Sequence, residues 1–401
     1  MRAKWFVLPA LLLVAVALAL GPTREASTQA KAPDTIRIGA TLAVTGPFSP
    51  EWGPPMLKFM TEWTKVVNEE GGIFLKEFNA KVPIELVIYD DESKPPKSVE
   101  LYEKLNAADK VHVFLGPSTS PITMAASTVA EKLSIPMMAC EANDTALFTR
   151  DLKWFAGVLE LGYPWSETYF DMIGALNKRG ATKYSSVAII SSDRPHTLDV
   201  GRGGDDFARR AGLKVAFREK VPCGTTDYSG PPEMIAFVKQ AEELKLKPRD
   251  LYSRFLGAGF ITGVSPRLAE GVTGATYNAK KWFAGTRAEK VAKRLGVDPY
   301  DVAWLAIKYN CMEALLTALQ DAGTLDRAKV MATIRAYNKA KPIKAVYGPL
   351  FFSWNVQVGD KQANGFGTQK PIVMQVQGGK LQVIWPEAAA DAKYKATPRP
   401  Y

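Results

Sequence analysis

Val111-His-Val-Phe-Leu-Gly-Pro-Ser-Thr-Ser-Pro121 is the stretch that decides the fold of this chain. Its first five residues have the apolar composition of a buried strand, and its final proline opens a predicted helix. The junction between strand and helix offers hydroxyls and free backbone N–H groups at the positive end of a helix dipole, where anions bind favourably. In an open α/β sheet this junction lies at the carboxyl edge of the strands, where ligands usually bind. The alternative interpretation is that Ser118, Thr119 and Ser120 only cap the helix.

Strands and helices alternate on both sides of this stretch. The alternation predicts an α/β fold with mostly parallel sheets that carry helices on both faces. About 370 residues follow the N-terminal segment, enough for two lobes that each bury a core. The predicted strands are residues 36–42, 84–89, 111–115, 186–190, 372–376 and 381–384, the last two forming a hairpin. The predicted helices are residues 54–70, 96–108, 121–133, 201–211, 231–245 and 299–322, and one that begins after Asp326.

The N-terminal segment has the layout of an export signal. Arg2 and Lys4 precede an apolar run at residues 5–20, and a polar, small-residue segment follows at residues 21–30. The run is short for a membrane span, which needs about 20 residues. We therefore expect residues 1–30 to be a cleaved signal peptide, with an uncleaved membrane anchor as the alternative. The remainder of the chain is then expected to work outside the cytoplasm.

The charge and cysteine content narrow the possible partners. The formal net charge is +10, but basic and acidic residues are interspersed, so no nucleic-acid partner is expected. Cys140, Cys223 and Cys311 are too few for a disulfide scaffold, and their odd number leaves at least one unpaired. None of them directly follows the apolar run, so no lipid-modified cysteine is expected. Cys311 lies within a helical pattern and is predicted to be in the core.

Few residues offer catalytic chemistry. His112 lies within a predicted strand and is expected to be structural, while His196 is predicted in a loop. Asp90 and Asp91 are adjacent on a strand, so their side chains should point to opposite faces and not share a reaction centre. No nucleophile, metal or phosphate motif is present, and we expect no enzyme activity, cofactor or metal.

Four motifs in order give the chain a family resemblance. They are Ile-Gly-x-x-x-x-x-Thr-Gly-Pro-Phe at 38–48, Val-Asn-x-x-Gly-Gly-Ile at 67–73, Tyr-Asp-Asp-x-Ser at 89–93 and Gly-Pro-Ser-Thr-Ser at 116–120. With them the chain resembles the periplasmic substrate-binding proteins of branched-chain amino acid ABC transporters, which also take up amides and aromatic acids. The resemblance implies a type I periplasmic binding fold. Its two Rossmann-like lobes are joined by three crossovers and close on a ligand by hinge motion.

The resemblance also implies a division of the chain. The first lobe is expected at residues 31–155 and 278–350, and the second at residues 156–277 and 351–401. Between residues 229 and 270 the family normally holds about one more helix and strand. The second lobe of this chain is therefore expected to lack one helix–strand unit, which could alter the cleft.

Site residues are carried over from the family position by position. The ligand carboxylate should meet the Ser118 and Thr119 hydroxyls and the loop at 139–143, where Asn143 replaces a usual threonine. The residues carried over are Trp52 as the aromatic cover, Ser118, Thr119, Ala142 through its backbone, Asn143, and His196 near the position of a usual tyrosine.

One departure concerns the ligand's amine. Amino-acid binders of the family place an acid in a Gly-x-Glu-Gly context, but here that segment is Gly257-Ala-Gly259-Phe260. Because a buried ammonium needs a carboxylate, either Glu141 or Asp144 replaces this acid or the ligand has no amine. Glu141 could also be a surface charge beside a helix.

Together these features predict a periplasmic solute-binding protein. It is expected to be a soluble monomer that captures a branched-chain amino acid, an amide or an aromatic acid and delivers it to an ABC transporter permease. A ligand sensor for a signalling receptor is one alternative, since the same fold serves that role. A hydrolase with Ser118 and His196 as its pair is another.

Overall fold

The computed structural model describes residues 31–193, 195–221, 231–254, 256–302, 304–346 and 348–396. The predicted signal peptide and Cys223 lie outside these residues. Within them, no helix has both the length and the apolar composition needed to cross a membrane.

The strands form one large parallel sheet, one mixed sheet and several pairs. Their bounds are β1 Ile36–Leu42, β2 Ile73–Leu75, β3 Ala80–Val82, β4 Ile84–Asp90, β5 Val113–Leu115, β6 Met137–Ala139, β7 Phe155–Leu159, β8 Ser186–Ser192, β9 Lys214–Val221, β10 Tyr252–Ser253, β11 Thr273–Thr276, β12 Ile343–Ala345, β13 Gly348–Leu350, β14 Val356–Val358, β15 Lys361–Ala363, β16 Phe366–Gln369, β17 Ile372–Gln377 and β18 Lys380–Trp385.

The helices connect and cover these strands. Their bounds are α1 Ser49–Trp52, α2 Pro54–Glu69, α3 Pro95–Ala107, α4 Ser120–Leu133, α5 Thr145–Phe148, α6 Glu167–Lys178, α7 Pro195–Arg210, α8 Pro231–Glu243, α9 Ala258–Val264, α10 Pro266–Ala269, α11 Lys280–Phe283, α12 Arg287–Leu295, α13 Leu305–Ala322 and α14 Arg327–Ala336, with a 3₁₀ turn at Tyr163–Ser166 before α6.

The large sheet has the order β16-β7-β6-β5-β1-β4, and all of its pairings among the described residues are parallel. Strand β1 pairs with β4 on one side and with β5 on the other, so the strand order reverses there. In open α/β sheets the crevice outside the strand ends at such a switch point is the usual ligand site. The predicted parallel α/β architecture is confirmed for this half of the molecule.

The remaining strands do not form one continuous sheet. Strands β10, β11, β17 and β18 make a mixed sheet that contains the predicted C-terminal hairpin, whereas among the described residues β8 pairs only with β9. The absence of one helix–strand unit between residues 229 and 270 stays a prediction. One face of the β8–β9 pair is left uncovered, since Ile190 is 48% and Phe217 is 53% exposed. Four of the six large apolar side chains exposed among the described residues lie in this region: Ile190, Phe217, Leu244 and Leu246.

The chain passes between the two groups of strands three times, after Leu159, after Thr276 and after Gln369. The predicted lobe boundaries placed residues 156–159 and 366–369 in the second lobe, but β7 and β16 pair with each other in the large sheet. A sequence pattern indicates that a strand forms. It does not indicate the sheet in which the strand pairs, because the pairing partners are far away in the chain. Lys370, directly after β16, forms ion pairs with Glu160 at 3.4 Å and Glu167 at 2.6 Å.

Two helices begin elsewhere than predicted. Helix α7 starts at Pro195, a favoured first helical residue, so the loop prediction for His196 was wrong. Helix α13 starts at Leu305 and not at Pro299, because the Asp298 carboxylate accepts a hydrogen bond from the Tyr300 N–H and forms a local turn. Asp326 does cap α14, accepting from the Lys329 N–H at 2.8 Å.

Candidate functional site

The candidate site lies at the switch point, where the loops after β1, β5 and β6 meet. Ser118 is fully buried, and its hydroxyl accepts a long hydrogen bond of 3.5 Å from the Ala43 N–H. Thr119 has a φ of 63°, a left-handed conformation that is strained for a β-branched residue. Its buried hydroxyl has no hydrogen-bond partner within the residues that the structure describes. Strain of this kind costs about 1–3 kcal/mol and is typical of functional sites.

Ser120 links two of these loops. Helix α4 begins at this residue and has no side-chain cap, so the interpretation of the three hydroxyls as simple caps is wrong. The Ser120 hydroxyl instead accepts hydrogen bonds from the N–H groups of Asn143 at 3.1 Å and Asp144 at 3.2 Å. Asp144 in turn caps α5 by accepting from the Ala146 N–H. The loop after β6 is thereby held against the start of α4.

Glu141 lies in this loop and is buried. Its Oε2 is 2.8 Å from the Nζ of Lys308 on α13, and both side chains are 1% exposed. The interpretation of Glu141 as a surface charge is therefore wrong. Burial raises the pKa of the Glu141 carboxyl, and the Lys308 ammonium opposes this shift.

A disulfide joins the same two segments. Cys140, the neighbour of Glu141, is bonded to Cys311, which lies one helical turn beyond Lys308, with 5.3 Å between the Cα atoms. Cys311 is fully buried in the core, as predicted. The loop after β6 is thus attached to α13 by a covalent bond and by an adjacent ion pair.

Asn143 follows in the same loop and contacts the other half of the molecule. Its backbone carbonyl accepts a hydrogen bond from the Gly162 N–H at 2.9 Å, just after the first crossover. Its side-chain Nδ2 is buried and has no hydrogen-bond partner. Ala142 beside it is fully buried.

An aromatic cluster, defined here as Trp52, Trp165, His196, Tyr277 and Trp304, spans the two halves. Trp52 and Trp304 are stacked with 5.5 Å between ring centroids, and Trp165 lies 6.2 Å from Trp304. Trp165 also contacts Tyr277 at 5.8 Å and His196 at 5.7 Å. Trp52, the aromatic cover that the resemblance implies, has a buried Nε1 with no hydrogen-bond partner in the described part of the chain.

His196 enters this cluster from α7. Its Nε2 is 3.5 Å from Nη1 of Arg254, and no described residue forms a hydrogen bond with its Nδ1. Burial, with a contribution from the Arg254 charge, lowers the pKa of His196 to about 3, so the ring is neutral at physiological pH. A side chain at Gly162 would come within 2.7 Å of Nδ1, so glycine is required there.

The residues considered for catalysis do not form a catalytic arrangement. Ser118 and His196 form no hydrogen bond with each other, and within the described part of the chain no cluster of metal-ligating side chains occurs. Asp90 binds Thr45, whereas Asp91 accepts from the Thr41 hydroxyl at 2.8 Å. The prediction that the two carboxylates face apart is confirmed. His112 is half-buried, and its Nδ1 accepts from the Arg37 N–H.

Most of the predicted site residues share one property. Each holds a buried side-chain polar atom with no hydrogen-bond partner among the described residues, an arrangement that costs about 1–3 kcal/mol per atom. These atoms are Trp52 Nε1, Thr119 Oγ1, Glu141 Oε1, Asn143 Nδ2 and His196 Nδ1. Such a concentration of unpartnered atoms is typical of a binding site.

Some residues of the site were not predicted from the sequence. Trp165, Arg254, Tyr277 and Trp304 come from segments without a recognisable motif. Lys308 had a usable signal, because it is a single charge inside the apolar run Leu305-Ala-Ile-Lys-Tyr-Asn-Cys-Met312. A lone lysine on a core helix requires a buried partner.

Comparisons with known proteins agree with this architecture. A family model described as periplasmic binding protein matches residues 35–231 and 228–380. The Leu/Ile/Val-binding protein homolog 7 of Brucella abortus is 23% identical over 361 residues, covering 79% of this chain and 86% of that protein.

Two solved structures are similar in fold. The branched-chain amino acid transporter substrate-binding protein LivJ of Streptococcus pneumoniae, in complex with isoleucine, has a TM-score of 0.67 at 17% identity and covers 86% of this chain and 97% of its own. A solute-binding protein of an ABC transporter from Rhodopseudomonas palustris was solved in complex with 3,4-dihydroxybenzoic acid. It has a TM-score of 0.65 at 17% identity, and the match covers 92% of this chain and 99% of that protein. From the sheet order, the buried site at its switch point and the family match, the chain belongs to the periplasmic binding protein family.

Proposed function

We propose that this protein captures a small carboxylate-bearing solute between its two lobes, in the periplasm, and delivers it as a monomer to the permease of an ABC transporter. The observation that carries this proposal is the convergence of unpartnered buried polar atoms on the loops after β5 and β6. Buried polar groups without partners are costly, so a ligand that satisfies them gains the corresponding free energy.

The loops supply groups suited to a carboxylate. The Thr119 hydroxyl and the Asn143 amide can each donate a hydrogen bond, and Thr119 directly precedes helix α4, whose N-terminus favours negative charge. The aromatic cluster supplies an apolar wall for the rest of the ligand.

Both halves of the chain contribute to this site, which suits a hinged receptor. Thr119, Asn143 and Trp52 come from the half that contains the large sheet, while Trp165 and His196 follow the first crossover. A ligand that contacts both halves stabilises the closed arrangement selectively. The three crossovers provide the hinge.

The relatives support the solute class. LivJ of Streptococcus pneumoniae is complexed with isoleucine and the Rhodopseudomonas palustris protein with 3,4-dihydroxybenzoic acid, and both solutes carry a carboxylate. The predicted export signal at residues 1–30 supports a periplasmic location.

Thermal denaturation against a solute panel tests the proposal. The panel contains branched-chain and aromatic amino acids, their amides, aromatic acids and aliphatic acids. A solute at 100 times its Kd should add about 2.7 kcal/mol to the free energy of unfolding. A panel that leaves the melting temperature unchanged throughout would contradict the proposal.

Thr119→Val then tests the site. Valine keeps the branched shape and removes the hydroxyl, so solute affinity should fall about tenfold or more while the stability of the unliganded protein stays equal or rises. Thr128→Val is the matched control on the same helix, since its exposed hydroxyl bonds only to the Ala125 carbonyl. Equal solute affinity in both variants would remove Thr119 from the site.

A further inference from the structure

The start of helix α13 carries two residues next to the loops of the candidate site. Trp304, the residue before the helix, has a φ of 60° and joins the aromatic cluster, and its backbone carbonyl accepts a hydrogen bond from the Lys308 N–H at 3.0 Å. Lys308 is therefore in the first turn of α13, and its partner Glu141 lies in the loop after β6. It is also adjacent in sequence to Ala142 and Asn143 of the predicted carboxylate loop. The pair is thus attached to the loop that carries the candidate carboxylate-binding residues.

The charge of Glu141 is already balanced by this arrangement. Its Oε2 contacts Lys308 Nζ at 2.8 Å, and the two side chains are 1% exposed. Asp91 is the other carboxylate whose charge acts on Lys308, and it is itself engaged by the Thr41 hydroxyl and the Ser93 N–H. A ligand ammonium at Glu141 would place two buried cations against one carboxylate, and like charges in a buried site are unfavourable.

The segment that carries the acid in amino-acid binders of the family has no acid here among its described residues. The segment after β10 contains Gly257, Ala258 and Gly259, and the space beside Gly259 holds no side chain within 4 Å. The charged residue on this side is Arg254, whose guanidinium lies 5.5 Å from the Trp165 ring and contacts His196. Two carboxylates also lie beside the cluster, but each has a partner: Glu51 accepts a hydrogen bond from the Trp304 indole at 2.9 Å, and Glu160 pairs with Lys370 at 3.4 Å.

We propose that the buried Lys308–Glu141 ion pair makes this site select carboxylic acids without an α-ammonium group, with an aromatic or branched aliphatic body. Lys308 is then the specificity-determining residue, because its ammonium pairs with the Glu141 carboxylate that the α-ammonium of an amino acid would need. The inference rests on the proposed function, since it assumes that the site binds a carboxylate.

Matched pairs of solutes that differ only in the amine test this inference by calorimetry. The pairs are 4-methylpentanoate with L-leucine and 3-phenylpropanoate with L-phenylalanine. In at least one pair the acid without the amine should bind about tenfold tighter or better. An amino acid that binds as tightly as its partner acid would overturn the inference while leaving the proposed function intact. Failure of all four solutes and of the wider panel would overturn both.

Lys308→Met examines the role of the ion pair itself. Removing the ammonium frees the Glu141 carboxylate for a ligand amine, so the preference should move about tenfold towards the amino acid of each pair. Lys329→Met, an exposed lysine on α14, is the control and should leave the preference unchanged. An unchanged preference in folded Lys308→Met would contradict the assigned role.

Glu141→Gln tests the same inference if Lys308→Met does not fold. This variant keeps the ammonium and removes the carboxylate, so it should reject the amino acids at least as strongly as the native protein. Improved binding of an amino acid by Glu141→Gln would overturn the inference.

Discussion

The indoles of Trp52 and Trp304 stack with an angle of only 8° between their planes. Trp304 is anchored, since its Nε1 donates a 2.9 Å hydrogen bond to Glu51 on the same helix as Trp52. Trp52 has no such bond, so its buried Nε1 stays available to a ligand. One ring therefore positions the stack, and the other presents a donor to the site.

Trp52→Phe should weaken solute binding about tenfold, because phenylalanine keeps an aromatic face but loses the indole donor. The melting temperature of the unliganded protein should change little, since a ring still covers Trp304. Titration calorimetry with the solute identified in the panel measures the effect. Trp385→Phe, at the end of β18 and away from the cluster, is the control; equal affinity in both variants would contradict the role of Trp52.

Loss of the Cys140–Cys311 disulfide should destabilise the protein by about 2–5 kcal/mol, since the bond closes a long loop. Reduction, or Cys140→Ser with Cys311→Ser, should lower the midpoint of denaturant unfolding. Cys223→Ser is the control that keeps the bond. Alkylation of the unfolded, unreduced chain should label one cysteine of three, and labelling of all three would contradict the disulfide.

His196 should make the stability depend on pH in the acid range. Its pKa is about 3 in the folded protein and about 6.5 when unfolded, so between these values only the unfolded chain takes up the proton. The free energy of unfolding should therefore fall as the pH drops below about 6.5, by up to about 1.4 kcal/mol per pH unit.

His196→Gln removes this proton uptake, so between pH 7 and pH 4.5 the variant should gain about 3 kcal/mol relative to the native protein. Denaturant unfolding at several pH values measures the difference. His112→Gln should show a smaller gain, because His112 is half-buried whereas His196 is fully buried, so loss of hydration lowers the pKa of His112 less. Parallel pH profiles for His196→Gln and the native protein would contradict the prediction.

The β8–β9 pair should be among the least protected regular structure in the described residues. It is a two-stranded unit with an uncovered face at Ile190 and Phe217, and such units open with low free energy. Amide hydrogen exchange should be markedly faster in β8 than in β1, which has a partner on each side. Equal protection of the two strands would show that another element stabilises the pair.

Local patterns were sufficient to predict much of the fold and part of the site. The junction at residues 116–121 and the alternation of strands and helices correctly indicated a parallel sheet, and the loop site at its edge stays a prediction. The positions carried over for Trp52, Thr119 and Asn143 all hold buried, unpartnered polar atoms in the structure. These features depend on residues that are close in sequence, so a single chain reveals them. Binding by these residues stays a prediction.

Long-range partners were not predictable in the same way. Nothing near Glu141 indicates Lys308, and the pairing of β7 with β16 joins segments far apart in the chain. The hydroxyl of Ser120 fits a cap by its position, yet it bonds to the loop after β6 because tertiary packing brings that loop closer than its own helix end. These pairings depend on the folded arrangement, and the residues next to each partner in the sequence do not indicate them.

The aromatic cluster has a consequence for unloading the receptor. Trp52 and Trp304 belong to one half and Trp165 and His196 to the other, so contacts between the protein's own rings hold the halves together. These contacts stabilise the closed arrangement, so a solute has to supply less of the free energy that brings the two halves together. This strengthens capture at low solute concentration. Under the proposed function, the same contacts oppose release, so a permease that empties the cleft would do work against the contacts between the rings as well as against those with the solute.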